Sequence, residues 1–148
     1  MTNLVVGLDA SEHDRAITDW AARFAADYDL HLIVVNVVPR TILWMIAGAQ
    51  ADSSRYLRAV RGRFEREVIA PMHAAGISAE FRLELGDPAH QLVGVAVKTG
   101  AELIAIGGPE HSALHDVVLG GVARRLEHHT HVPVVVIPHS SSHAPAHA

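Results

Sequence analysis

Cysteine is absent from the 148 residues. That excludes disulfides, thiolate metal sites and thiol nucleophiles. Aromatics are scarce, at 5%, so alanine and aliphatic side chains must fill the core that one domain of this length buries. Basic residues are outnumbered: 12 Lys and Arg face 16 Asp and Glu, a formal charge of −4. A nucleic-acid partner held by phosphate neutralisation needs the opposite balance. No apolar run approaches the length of a membrane span, and Met1-Thr-Asn-Leu-Val5 lacks the basic start and apolar middle of a signal peptide. The expectation is a cytoplasmic protein with no membrane partner. Catalytic signatures are missing too. There is no Walker lysine after a final glycine, no Gly-x-Ser-x-Gly, no His-Glu-x-x-His and no evident nucleophile–base pair. A non-enzyme is expected.

Short apolar runs alternating with helical patterns are what the chain does have. Leu4–Leu8 is apolar on both faces, as a central parallel strand should be. Ser11 then reads as a helix N-cap, with Asp14 three residues on as a weak capping box. Ala16, Trp20 and Phe24, flanked by Ile17 and Ala21, give the helix that follows a buried face. His31–Val38 is a second, β-branched strand. Thr41–Ala51 has no secure placement: a short helix, a lid over a pocket and a subunit contact all remain open. Asp52–Ala75 reads as a long helix with Leu57, Val60, Phe64, Val68 and Met72 inward and a run of arginines on a solvated face. Pro71 should kink or end it.

Ala79–Leu85 alternates, with Phe81, Leu83 and Leu85 on one face, and suggests an edge strand. Asp87-Pro88 caps a helix ending near Gly100. Leu103–Ile106 is the fourth strand, Val122–Thr130 the last helix, and Val132–Ile137 a fifth strand that its Pro133 assigns to an edge. His139–Ala148 is a polar tail expected to be disordered, leaving residues 1–138 as the domain.

The βαβαβαβαβ order predicts an α/β fold: three layers, Rossmann-like, with a five-stranded parallel sheet. With strand order 3-2-1-4-5 the winding reverses between strands one and four, and ligands of such sheets bind at that reversal. Asp9 follows strand one. The pair Gly107-Gly108 follows strand four, and a second pair, Gly120-Gly121, opens the last helix at Val122. Glycines allow close backbone approach, and a helix N-terminus offers unpaired N–H donors to an anion. Paired glycines around a loop also serve as plain turn punctuation.

Val5-Val-Gly-Leu-Asp-Ala-Ser11, Asn36-Val-Val38, Gly86-Asp-Pro88 and Gly107 through Pro138 resemble the universal stress protein family, over nearly the whole chain apart from its tail. The resemblance implies an α/β/α domain that is commonly a homodimer joined through its last strand, here Val134–Ile137. It implies a regulatory or protective role in stress. Members that bind ATP carry a loop of the form Gly-x2-Gly-x9-Gly-(Ser/Thr) around the phosphates. An Asp after strand one and a backbone contact at the end of strand two hold the ribose and base. Asp9 and Val37 match those last two, and Gly107 and Gly120 match the first and third glycines. Glu110 stands at the second glycine, and Gly121 at the closing Ser/Thr.

Both departures weaken a phosphate site. Unit charges about 4 Å apart repel by roughly 1 kcal/mol in water and roughly 4 at an effective dielectric of 20. A lost charge-assisted hydrogen bond removes about 1.5–3 kcal/mol. Together they would lower triphosphate affinity by roughly a thousandfold or more. Arg124 and Arg125, or a divalent ion held by Glu110, are routes to compensation. The expected function is therefore a regulatory protein with a degenerate nucleotide crevice. The alternative is a stress sensor binding ATP (with Mg), AMP or cyclic AMP, with or without weak ATPase activity. Of the 12 histidines, His111 and His115 have metal-ligand spacing on a helix. His128, His129 and His131 cluster, as do His139, His143 and His147 in the tail. No carboxylate or cysteine completes a ligand set, so surface histidine is the preferred reading and no metal site is expected.

Overall fold

The structure, a computed structural model, describes residues 1–108 and 121–138. Strands β1 (Thr2–Leu8), β2 (Leu30–Val38), β3 (Ala79–Leu85), β4 (Leu103–Gly107) and β5 (Val134–Ile137) form one parallel sheet in the order β3-β2-β1-β4-β5. This is the expected topology. The register pairs Leu8 with Asn36 and Gly107 with Ile137, so the carboxyl ends of β1, β2, β4 and β5 finish along one edge.

Two apolar layers cover the sheet. On one face Leu4, Val6, Leu32, Val34 and Phe81 meet Ile17, Ala21 and Ala25 of α1 (Asp14–Tyr28), together with Phe64, Ile69 and Met72 from the helical stretch that follows β2. On the other, Val5, Ile33, Val35, Ile104 and Ile106 meet Leu92, Val95 and Ala96 of α5 (Pro88–Thr99) and Ala123 and Leu126 of α6 (Gly121–His129). Strands buried on both faces are why β1 and β2 read as unbroken aliphatic runs. β3 lies at the edge, and its outward Glu80 is held by His31 at 2.9 Å and by Arg82 at 3.1 Å. Leu85, on the same face as Phe81 by its alternation, is exposed at the strand's end.

Local expectations are corrected or sharpened in three places. Helix α1 begins at Asp14, and Ser11 is not its cap: the N-cap position is His13, in helical conformation and without a side-chain cap bond. Ser11 Oγ instead accepts from the N–H of His13 at 3.3 Å, within a turn that precedes the helix.

The long helix is also not continuous. α3 (Ser53–Phe64), capped by Asp52, gives way to a π-helical turn (Glu65–Ile69) and then α4 (Ala70–Ala74). Pro71 explains the break. It has no N–H to donate to Glu67, and its ring would crowd that carbonyl in a regular α-helix. Widening the preceding turn removes the crowding.

Thr41–Ala51, unplaced by its pattern, is mostly helix α2 (Arg40–Gly48). None of its residues is buried, and Trp44 is 70% and Met45 69% exposed. Replacing Trp44 with serine should therefore change stability by no more than about 0.5 kcal/mol, as for other surface sites. A larger drop in the urea midpoint would mean that α2 packs against something.

Candidate functional site

Five expected site residues meet at the carboxyl edge of the sheet. Asp9, Val37, Gly107 and Gly108 line one crevice of about 150 Å³, with Val122 at its side and Leu92 and His13 in its wall. Helix α5 starts here at Pro88, and α6 starts next to Val122. The positive ends of these two helix dipoles favour negative charge at this rim. Gly121 opens α6, exposed, with open space where a Cβ would stand. Glu110 and Gly120, together with His111 and His115, lie outside the described residues, as does the tail. Among the described residues no group of three or more metal-ligating side chains occurs.

The loop after β1 is organised by a carboxylate. Asp14 Oδ1 accepts from the N–H of Asp9 at 3.1 Å, and Oδ2 from the N–H of Ala10 at 2.8 Å. Asp9 Oδ1 accepts from the N–H of Ser11 at 3.0 Å. Between these bonds Ala10 is left-handed, at φ 66°. Burial pushes the Asp9 carboxyl up, but the Ser11 hydroxyl and N–H outweigh it and leave the group below the usual carboxylate range. Asp9 is thus an exposed, ionised acceptor at the crevice. That suits a vicinal diol better than it suits proton abstraction.

The first glycine has a reason the spacing did not supply. A Cβ on Gly107 would lie 2.5 Å from His13 Cδ2 and 2.9 Å from both His13 Nε2 and Ile17 Cδ1. His13 is buried, and its Nε2–H donates to the carbonyl of Ile137 at 3.1 Å. The ring thus joins the start of α1 to the end of β5 and packs against Gly107. Gly108 makes a backbone bond to the same carbonyl, at 2.8 Å. Sequence reasoning missed His13, because nothing local marks a ring that packs on a strand far along the chain. Asn36, part of the stretch that carries the family resemblance, is a buried polar residue inside an aliphatic strand. Its Nδ2 donates to the carbonyl of Leu8 at 2.9 Å and ties the ends of β1 and β2 beneath Asp9 and Val37.

Arg125, an expected source of compensating charge, donates to Asp87 at 2.5 Å. Asp87 also caps α5 by accepting from the N–H of His90. The arginine holds that carboxyl below its usual range. The cation stands at the rim, but already paired. A larger cleft, of about 580 Å³, opens between α1 and the α3–α4 stretch, and Asp14 lines it from the far side.

Residues 1–138 match the Universal stress protein family. Universal stress protein YxiE of Bacillus subtilis is 22% identical over 90% of this chain and 97% of its own. A universal stress protein of Mycolicibacterium smegmatis is 25% identical, and this chain spans about half its length (47%). Among solved structures, one from the universal stress protein family of Burkholderia pseudomallei is 31% identical, covering 93% of this chain and 96% of that one, with a TM-score of 0.68. Two more share the fold with a TM-score of 0.66. One is a universal stress protein in complex with cAMP, 23% identical over 94% of this chain and 98% of that one. The other, from Archaeoglobus fulgidus, is in complex with dAMP and 20% identical over 93% and 98%.

Proposed function

The chain belongs to the universal stress protein family, and from that premise we propose that it is a regulatory, non-enzymatic member whose crevice takes an adenine nucleotide of low phosphate content. AMP or cyclic AMP fits this description; ATP is held weakly. The observation that carries the reading is the convergence of an ionised Asp9, the Val37 end of β2 and Gly107-Gly108 at one mouth. The fold-sharing complexes with cAMP and dAMP support the ligand class. A volume of about 150 Å³ is small beside the roughly 300–1,000 Å³ of typical ligand sites, which favours the smaller nucleotides. Glu110 and Gly121 weaken the triphosphate end for the reasons of charge and lost hydroxyl given above.

Titration calorimetry with AMP, cyclic AMP and ATP, with and without magnesium, tests this reading. AMP or cyclic AMP should bind at least about tenfold more tightly than ATP, equal to about 1.4 kcal/mol, with no phosphate release. The double substitution Glu110→Gly with Gly121→Ser should narrow the gap by strengthening ATP alone. ATP binding as tightly as AMP would favour the sensor reading instead.

We also propose a homodimer through β5. This strand lies at the sheet edge with Val134, Val135 and Val136 only half-buried, and an apolar edge left open invites association. A stable monomer in light scattering would remove that part.

A further inference from the structure

Asp9 does not hold its own position. Its backbone N–H and that of Ala10 both donate to Asp14, one to each carboxylate oxygen, at 3.1 and 2.8 Å. Ala10 lies at φ 66°, a left-handed conformation that residues with a Cβ avoid unless something holds them there. Nothing in a helix start requires this. A capping carboxylate ordinarily serves the N-cap N–H, whereas Asp14 reaches back past the turn to the residues that present Asp9. We propose that Asp14 is the positioning residue of the ribose subsite: its two accepted hydrogen bonds set the strained turn that aims the Asp9 carboxylate into the crevice. The proposal rests on the nucleotide reading above.

The proton balance of this residue makes the role measurable. Burial pushes the Asp14 carboxyl up to about 7; the N–H of Asp9 pulls it back, and the neighbouring Asp9 charge adds to the rise. Among the described residues, the charged and titratable groups around Asp14 are Asp9, Glu12 and His13 on its own loop and Arg15 and Asp19 along α1. Arg63 of α3 and Glu67 of the π turn join them from across the larger cleft. The facing strands β4 and β5 carry no charged side chain. As an anion, Asp14 offers one acceptor to each N–H. As an acid, it turns one oxygen into a hydroxyl whose best acceptor is Asp9, the group a ribose needs. Proton uptake therefore slackens the turn and occupies Asp9 together. Nucleotide affinity should fall as pH drops through about 7.

Stability carries the opposite sign. The native state holds a proton that the unfolded chain, near its ordinary 3.8, has released. The stability this proton contributes is lost as pH rises through about 7.

The experiment has a ligand arm and a ligand-free arm. AMP is titrated by calorimetry between pH 6 and pH 8 into the wild type and Asp14→Asn. The wild type should weaken by about tenfold on going to pH 6, following its ionised fraction. Asp14→Asn should bind about tenfold more weakly at pH 8, having lost one charge-assisted bond, and keep only the slope that the AMP phosphate itself contributes, which titration of adenosine removes. In the ligand-free arm, the amide protons of Asp9 and Ala10 are followed by nitrogen-edited NMR. They should titrate together with a midpoint near 7 in the wild type and stay fixed in Asp14→Asn. Amides indifferent to pH, or a pH slope of affinity as steep in Asp14→Asn as in the wild type, would overturn the proposal. AMP that fails to bind while the amides titrate would overturn the nucleotide reading and leave Asp14's hold on the turn supported.

Discussion

Alanine at Gly107 should cost about 1–3 kcal/mol of stability, the usual range for forcing extra atoms into a packed site. The new Cβ would meet His13 Cδ2 at 2.5 Å and Ile17 Cδ1 at 2.9 Å. Neither neighbour yields easily. Ile17 is buried in the α1 layer, and the His13 ring is fixed by its bond to the Ile137 carbonyl. The backbone is fixed as well, since Gly107 pairs with Ile137 in the sheet. Urea midpoints measure the effect. Adding His13→Ala to Gly107→Ala should make the pair less destabilising than the sum of the singles by at least about 1 kcal/mol, because His13 supplies the shortest contact and two of the three that clash. Strict additivity would mean that the collision is relieved some other way. Gly121→Ala is the control. Among the described residues nothing lies within 4 Å of its would-be Cβ, and alanine in a helix gains up to about 1 kcal/mol over glycine.

The other large effect concerns binding. Asp9→Ala should lower AMP affinity by about a hundredfold, some 3 kcal/mol, because two ribose hydroxyls would lose a charged acceptor at about 1.5 kcal/mol or more each. Its structural cost should be small. Asp9 is exposed, and its side chain accepts from Ser11 within its own turn and from Asp14 when that carboxyl is protonated. Calorimetry and urea unfolding on the same variant separate the two effects. Affinity lost with stability kept within about 1 kcal/mol of wild type supports a direct role. Affinity unchanged removes Asp9 from the ribose subsite.

The chain announces its sheet plainly. Val5, Val6, Ile33, Val34 and Ile104 sit in runs apolar on both faces, and only a parallel sheet between two helical layers buries such strands. Strand order and the shared mouth of Asp9 and Gly107 follow from that topology. What the pattern concealed is contact between distant segments. Gly107 read as a phosphate glycine, but its Cβ space is filled by His13, a residue whose importance arises only once α1 lies over β4. Asp14 read as a cap because spacing carries no information on which N–H a carboxylate will reach. Pro71 signalled an irregular helix without disclosing a π turn. Helix α2 gave no inward stripe because it buries none of its residues.

The arrangement as a whole stands on where the adenosine sits. A crystal structure of the protein grown with AMP addresses that directly. The ribose hydroxyls should lie within hydrogen-bond distance of the Asp9 carboxylate, with the base against the Val37 end of β2 and the phosphate towards Gly108 and the start of α6. AMP seated in the larger cleft beside Arg63 and Glu67, with Asp9 untouched, would contradict it.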